Sequence, residues 1–183
     1  MSIALIAEIG WNHMGDMALL EKMVKAASAS GATHAKFQTF SEKNLKPGPW
    51  DTDGRREIYI KAQLSREQHV KVKQICEANG ILFMTSIFNA PDAGWLADLN
   101  NAEIKIPSPE MANEEIVTAC SKLFKKVYIS TGAATEGEID RALEILRKGT
   151  CEIVVMHCVS MYPCGDDRMN LGRINLLKKK HPR

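Results

Sequence analysis

No two of the five cysteines stand in a CxxC spacing, and the set is odd. A disulfide framework is therefore not the reading: Cys76, Cys120, Cys151, Cys158 and Cys164 read as free thiols of a cytoplasmic protein. No apolar run approaches the roughly 20 residues of a membrane span, which argues against a membrane partner. The opening ten residues are apolar but carry Glu8 and lack a basic start, so they do not read as a signal peptide. An excess of charge is missing as well: 24 Lys and Arg face 22 Asp and Glu, for a net charge of +2. That is too near neutral to argue for nucleic acid. The one basic cluster, Lys178-Lys179-Lys180, ends a helical pattern, where cations suit the helix dipole, and reads as a solvated helix end rather than an anion-binding patch. Neither G-x-G-x-x-G nor a P-loop sequence is present, which removes two phosphate-cradling signatures.

What is present is an ordinary globular composition, 45% hydrophobic and 25% charged over 183 residues, with no low-complexity linker. Residues 1–183 are therefore expected to form a single domain. Its apolar strands share one kind of ending. Ile3-Ala4-Leu5-Ile6-Ala7 stops at Glu8, and the run from Ala32 to Ala35 leads to Lys36 and Gln38. Ile81-Leu82-Phe83-Met84 stops at Thr85 and Ser86, and Ile104 leads to Lys105 and Ser108. Val127-Tyr128-Ile129 stops at Ser130 and Thr131; Ile153-Val154-Val155-Met156 stops at His157, with Ser160 close behind. In a parallel α/β protein the C-terminal strand ends share one face, so six such endings predict one convergent site and an enzyme.

Helical patterns lie between the strands. Asp16 caps one with Gly31 just past its end; Ser65 with Gln68, and Thr135 with Glu138, form capping boxes; Asn113 and Asn170 start two more. Strand–helix alternation predicts a parallel α/β fold, either a doubly wound sheet or a (β/α)8 TIM barrel. Polar groups on every strand end favour the barrel. A full barrel needs about 200–250 residues, so about six of its βα units are expected here. The longest connection, residues 41–64, follows the second strand on the active face and is a candidate lid. His157 and Cys158 are neighbours on a strand and point to opposite faces, which argues against a Cys–His catalytic pair.

Six segments taken together resemble the motifs of one family. Ala7-Glu8-Ile9-Gly10-Trp11-Asn12-His13-Met14-Gly15-Asp16 resembles the AEIGxNHxGD opening of the sialic acid synthase family. Lys36-Phe37-Gln38-Thr39-Phe40 is similar to its KFQTF, and Phe83-Met84-Thr85-Ser86-Ile87-Phe88 to its F-x-[ST]-[ST]-P-F. Ile104-Lys105-Ile106-Pro107-Ser108-Pro109-Glu110 resembles KI-x-S-x-E; Ser130-Thr131-Gly132 matches STG; His157-Cys158-Val159-Ser160-Met161-Tyr162-Pro163 is close to HCxSxYP.

The resemblance implies an N-acetylneuraminate-type synthase. Such enzymes condense phosphoenolpyruvate with an N-acetylmannosamine-like aldose and release phosphate. It implies a (β/α)8 barrel, a divalent cation (Mn²⁺ or Mg²⁺) that polarises the aldehyde, and a homodimer in the full-length protein. A C-terminal antifreeze-like domain follows in the family; none is read in these residues. Phosphoenolpyruvate brings a phosphate and a carboxylate, which call for cations and short donors. Lys36 and Lys105, with Ser86, Ser108, Ser130 and Ser160 and the backbone near Gly132, match the family's contacts to it. Glu8, Glu110 and Tyr162 match its sugar-handling positions, and Gln38 is added to them. The catalytic residues carried over are Glu8, Lys105 and Glu110. For Glu8 the competing reading is a structural ion pair with a neighbouring lysine. The family's histidine metal ligands are expected beyond Arg183, and no metal ligand is assigned within the chain. Pro107 and Pro109 depart from the family pattern and remove two backbone donors beside Ser108. Ile87 and Ser160 are smaller departures. Two other functions stay open: a Schiff-base aldolase or lyase using Lys105, and a truncated non-catalytic module.

Overall fold

Alternating short apolar runs and amphipathic stretches resolve into six strands and seven α-helices among the described residues. The computed structural model describes residues 3–45 and 47–182. Met1 and Ser2, where the opening segment read as no signal peptide begins, Lys46 in the long connection, and Arg183, where the sequence stops, lie outside the described residues. The strands are β1 (Ile6–Gly10), β2 (His34–Thr39), β3 (Leu82–Ile87), β4 (Glu103–Ile106), β5 (Lys126–Ser130) and β6 (Glu152–Met156). The helices are α1 (Met17–Ala29), α2 (Arg55–Ala62), α3 (Arg66–Ala78), α4 (Ala93–Leu99), α5 (Glu114–Leu123), α6 (Glu136–Arg147) and α7 (Arg173–Lys180). No helix among them is long and apolar enough to cross a membrane.

The chain divides into two compact units, the first ending at Asn89 and the second beginning at Ala90. In the first, β2 pairs in parallel with β1 and with β3, with Glu8 opposite Lys36 and Gln38 opposite Ser86. Alternate residues share a face. Glu8, Lys36, Gln38, Met84 and Ser86 therefore point one way. Ala35, Phe37, Thr39, Phe83, Thr85 and Ile87 point the other, the apolar ones among them buried with Leu20 and Val24 of α1 and Val72 and Cys76 of α3. In the second unit β5 pairs in parallel with β4 and β6, with Lys105 opposite Tyr128 and Ser130 opposite Met156. Here Ile104, Ile106, Val127 and Ile129 are buried, as are Ile116 and Val117 of α5 and Leu143 and Leu146 of α6. Each such side chain contributes about 1.5–3 kcal/mol through burial.

The helix starts follow the capping chemistry. The Asp16 carboxylate accepts from the amides of Ala18 (2.8 Å) and Leu19 (3.0 Å). Ser65 with Gln68 and Thr135 with Glu138 form reciprocal boxes. Asn113 accepts from the Ile116 amide at 3.3 Å. Each cap is worth about 1 kcal/mol. Lys180, at the end of α7, bonds Glu136 (3.1 Å) and Asp140 (3.0 Å) of α6.

Several expectations are corrected. Four strands do not stop at their polar groups: β1 runs from Ile6 through Glu8 to Gly10, and Lys36, Gln38, Ser86 and Lys105 lie inside β2, β3 and β4, whereas β5 ends at Ser130 and β6 at Met156, directly before His157. Ladder hydrogen bonds satisfy these backbones whatever side chains they carry. The last helix starts at Arg173 rather than Asn170. Asn170 has a φ of 46° and its carbonyl accepts from the Arg173 amide at 3.0 Å, so it forms a turn. Two helices were not foreseen, α2 and α4. Both are short and neither has a side-chain cap, which removes the start signal. Residues 41–64 hold two 3-10 turns and α2, and Arg56 braces them by bonding Asp51 (2.6 Å) and Glu42 (2.5 Å). Thr85, counted among the polar strand endings, faces α3 instead. There Thr85, Thr39 and the His69 imidazole form a buried hydrogen-bonded chain with 2.8 Å links. It ends where His69 Nδ1 meets the Ser65 carbonyl at 2.8 Å.

Candidate active site

In the first unit Lys36 is the organising group. Its side chain is 4% exposed, and its ammonium forms an ion pair with Glu8 and donates to Ser86 Oγ at 3.1 Å. A buried ammonium is costly unless paired. Glu8, 49% exposed, supplies the countercharge from the solvent side. The structural ion pair weighed for Glu8 is thus present. Ser86 accepts from Lys36, so its own O–H is left to give to a ligand. Between Glu8 and Gly10 the β1–β2 register slips by one residue, and Gly10 takes a φ of +56°. A Cβ on Gly10 would lie 3.2 Å from a Glu8 carboxylate oxygen and 3.7 Å from the Gln38 amide nitrogen. Glu8 and Gln38 therefore reach towards each other over a glycine that the bulge requires.

The second unit holds a cluster of hydroxyls. Pro107 leads into a 3-10 turn, Ser108–Glu110, and Ser108 Oγ accepts from the Gly132 amide at 3.1 Å. The Gly132 N–H, expected among the ligand donors, is thus given to Ser108. A Cβ on Gly132 would stand 2.9 Å from Ser160 Oγ and 3.0 Å from the Cys158 carbonyl, so no side chain fits there. Ser108 and Ser160 meet at Gly132, two residues beyond Ser130. Ser130 Oγ is buried with no hydrogen-bond partner among the described residues. An unsatisfied hydroxyl costs about 1–3 kcal/mol, a cost that a ligand would remove. Lys105 is half-buried and lies on the same strand face as Tyr128 and Ser130.

Glu110 is oriented by a residue whose role beyond capping was missed. Asn113 donates to the Glu110 carboxylate at 3.0 Å through its amide nitrogen while its oxygen caps α5. The Asn113 cap was legible; its second bond required the turn between them. Tyr162 is 95% exposed, so its side chain stands in solvent rather than packed into the hydroxyl cluster. His157 Nε2 lies 2.8 Å from the Met169 carbonyl, which can only accept, so that nitrogen carries the proton. His157 Nδ1 is buried and has no partner among the described residues. Burial pushes the Cys76 and Cys120 thiols up to about 12, which makes them inert packing groups.

A model of the NeuB family matches residues 23–183. The chain belongs to the NeuB family. Among its relatives, the N,N'-diacetyllegionaminic acid synthase of Campylobacter jejuni is 32% identical over 95% of this chain and 56% of its own length. The pseudaminic acid synthase of the same organism is also 32% identical, over 97% of this chain and 55% of its own length. The crystal structure of an N-acetylneuraminic acid synthetase from Leptospira borgpetersenii superposes with a TM-score of 0.88 at 27% identity, covering 99% of this chain and 62% of that one. The fold is accordingly α/β of the (β/α)8 barrel class, with six βα units present. The chain spans about half the length of the curated NeuB relatives it matches. Among the described residues no three His, Cys, Asp or Glu side chains converge as a metal site needs.

Proposed function

We propose that this NeuB-family chain carries substrate-binding machinery of a phosphoenolpyruvate-dependent nonulosonic acid synthase. The reaction condenses phosphoenolpyruvate with N-acetylmannosamine or a related amino-sugar aldose and releases phosphate. One observation carries the reading: a buried lysine ammonium is shared between a half-exposed carboxylate and a serine hydroxyl on one strand face. An anion that displaces Glu8 from Lys36 gains a desolvated cation and the Ser86 O–H together, a charge-assisted pair. Glu8, once released, is free to accept from sugar hydroxyls beside Gln38. In the second unit Ser108, Ser130 and Ser160 offer hydroxyl donors of the kind a phosphate or carboxylate takes, and Lys105 a second cation. Glu110, held by Asn113, is a further acceptor for a sugar hydroxyl. The divalent cation and the homodimer belong to this proposal through the family resemblance alone.

The test is titration of this chain with phosphoenolpyruvate. Saturable binding is expected, weakened at least about tenfold in Lys36→Ala, the loss of one charge-assisted contact. Unchanged affinity in that variant would remove Lys36 from the anion site. Borohydride trapping of a substrate imine on Lys105 would instead support the Schiff-base lyase. Phosphate release that requires both phosphoenolpyruvate and an aldose would exclude it.

A further inference from the structure

Two side-chain ties join β2 to β3 at the Lys36 site, and they slant in opposite directions. On the face that carries Glu8 and Gln38, Lys36 stands opposite Met84 and reaches two residues onward along β3, donating to Ser86 Oγ at 3.1 Å. On the other face Thr39 stands opposite Ile87, and its hydroxyl bonds that of Thr85, two residues back along β3, at 2.8 Å. A forward slide of β3 along β2 stretches the first tie; a backward slide stretches the second. The ladder sets the register, and the crossed ties set where within it the Lys36 ammonium and the Ser86 hydroxyl stand. Two donors that must meet one anion have to be held to within about 0.5 Å of the productive geometry.

The second tie has a fixed direction. Thr39, Thr85 and His69 are all buried. His69 Nδ1 lies 2.8 Å from the Ser65 carbonyl, which can only accept, so that nitrogen carries the proton. The neutral ring then keeps its lone pair on Nε2, 2.8 Å from the Thr39 hydroxyl, and takes the Thr39 proton. Thr39 Oγ1 is left to accept, so the Thr85 O–H points at it. Each link has one donor and one acceptor, and the direction of the whole chain is set from Ser65, the cap of α3. An anion that engages Lys36 and Ser86 takes over the first tie. It leaves the second untouched, because Thr39 and Thr85 leave the sheet on the opposite face.

We infer that His69, Thr39 and Thr85 are positioning residues of the anion site: the ring of α3 orients the buried hydroxyl chain, and the chain holds Ser86 within reach of an anion on Lys36. None of the three faces the ligand. Their effect on binding passes through the relative placement of β2 and β3. The inference rests on the proposed synthase reading and gives that site its support from α3.

The test titrates this chain and its variants with phosphoenolpyruvate, well below the thermal midpoint of each. Thr39→Val keeps the shape of the side chain and removes the O–H; Thr39→Ser keeps the O–H. Affinity should be about fivefold weaker in Thr39→Val, the scale of one neutral hydrogen bond, and close to wild type in Thr39→Ser. Thr85→Val should match Thr39→Val, and the double variant should lose little more than either, because both break one chain. Val24→Ala, in the buried core of α1 and outside the chain, should lower the thermal midpoint and leave the affinity unchanged. The ¹⁵N spectrum of the His69 ring should show the proton on Nδ1. Wild-type affinity in Thr39→Val would overturn the inference, whatever its thermal midpoint. So would an equal loss in Val24→Ala, which would tie affinity to overall stability, or a His69 proton on Nε2. If phosphoenolpyruvate binds wild type and Thr39→Val alike, the brace falls while the anion site stands. If it fails to bind wild type, the synthase reading falls, and the brace with it.

Discussion

Lys36 and Glu8 show how one side chain's chemistry depends on its neighbour's exposure. The cation is buried, whereas the carboxylate is half in solvent. Removing either partner therefore has different consequences. Glu8→Gln removes the countercharge and leaves a buried ammonium with neutral acceptors alone. It should destabilise the chain by about 2–3 kcal/mol, below the full penalty of a deeply buried pair because water reaches one side. Lys36→Ala leaves a carboxylate that water can solvate, and it should cost less stability while losing phosphoenolpyruvate affinity. Chemical denaturation of both variants checks this order; a more stable Glu8→Gln would contradict it. The polar identities of both residues were legible from the sequence. Their pairing was not, because it depends on β1 and β2 being adjacent in a register that sets Glu8 opposite Lys36.

At the scale of elements, buried polar groups tie strands to loops and helices. His13, in the loop after β1, is buried and its Nδ1 accepts from the Gly15 amide at 3.1 Å. Burial, and then the nearby His69, hold its pKa below the ordinary value of 6.5. A depressed histidine pKa means that the unfolded chain binds protons more readily than the folded one. Stability is therefore fully present above 6.5 and is lost as pH falls through the lowered folded value. Protonation would also turn the Nδ1 acceptor into a donor facing an N–H. The urea midpoint should drop between about pH 7.5 and about pH 5, and drop less in His13→Gln. A flat wild-type profile would show that His13 is protonated as easily folded as unfolded. Caps and boxes of this kind were readable because they are local in sequence: Asp16, Ser65, Asn113 and Thr135 all act within three residues. The uncapped α2 and α4 were not readable, since packing rather than a local signal holds them.

At the scale of the whole molecule, protection follows burial. β2 and β5 are almost entirely buried, whereas no residue of β6 is. In native-state hydrogen exchange the β6 amides should therefore exchange through smaller openings and faster than those of β2 and β5. Equal protection in all three would mean that the β6 backbone is held by more than its β5 ladder. A charged rung crosses the second unit at its strand starts: Lys126 lies 4.0 Å from Glu103 and 3.4 Å from Glu152. Opposite charges on successive strands favour this register over a slipped one.

By itself the sequence determined the βα alternation, four helix starts, the family, and which polar residues are candidates for the chemistry. These follow from local patterns and motifs, which need no knowledge of distant contacts. Only the tertiary structure decided that Glu8 closes an ion pair on Lys36, that Gly132 gives its N–H to Ser108, and that Thr85 turns to Thr39, itself bonded to His69, instead of the site. It also decided that Tyr162 stands in solvent and that Tyr59 meets both Trp11 and Phe40 edge to face. The physical reason is common to all of them. Strand register and one bulge choose the face on which each side chain emerges, and those choices belong to pairs of strands rather than to any one segment.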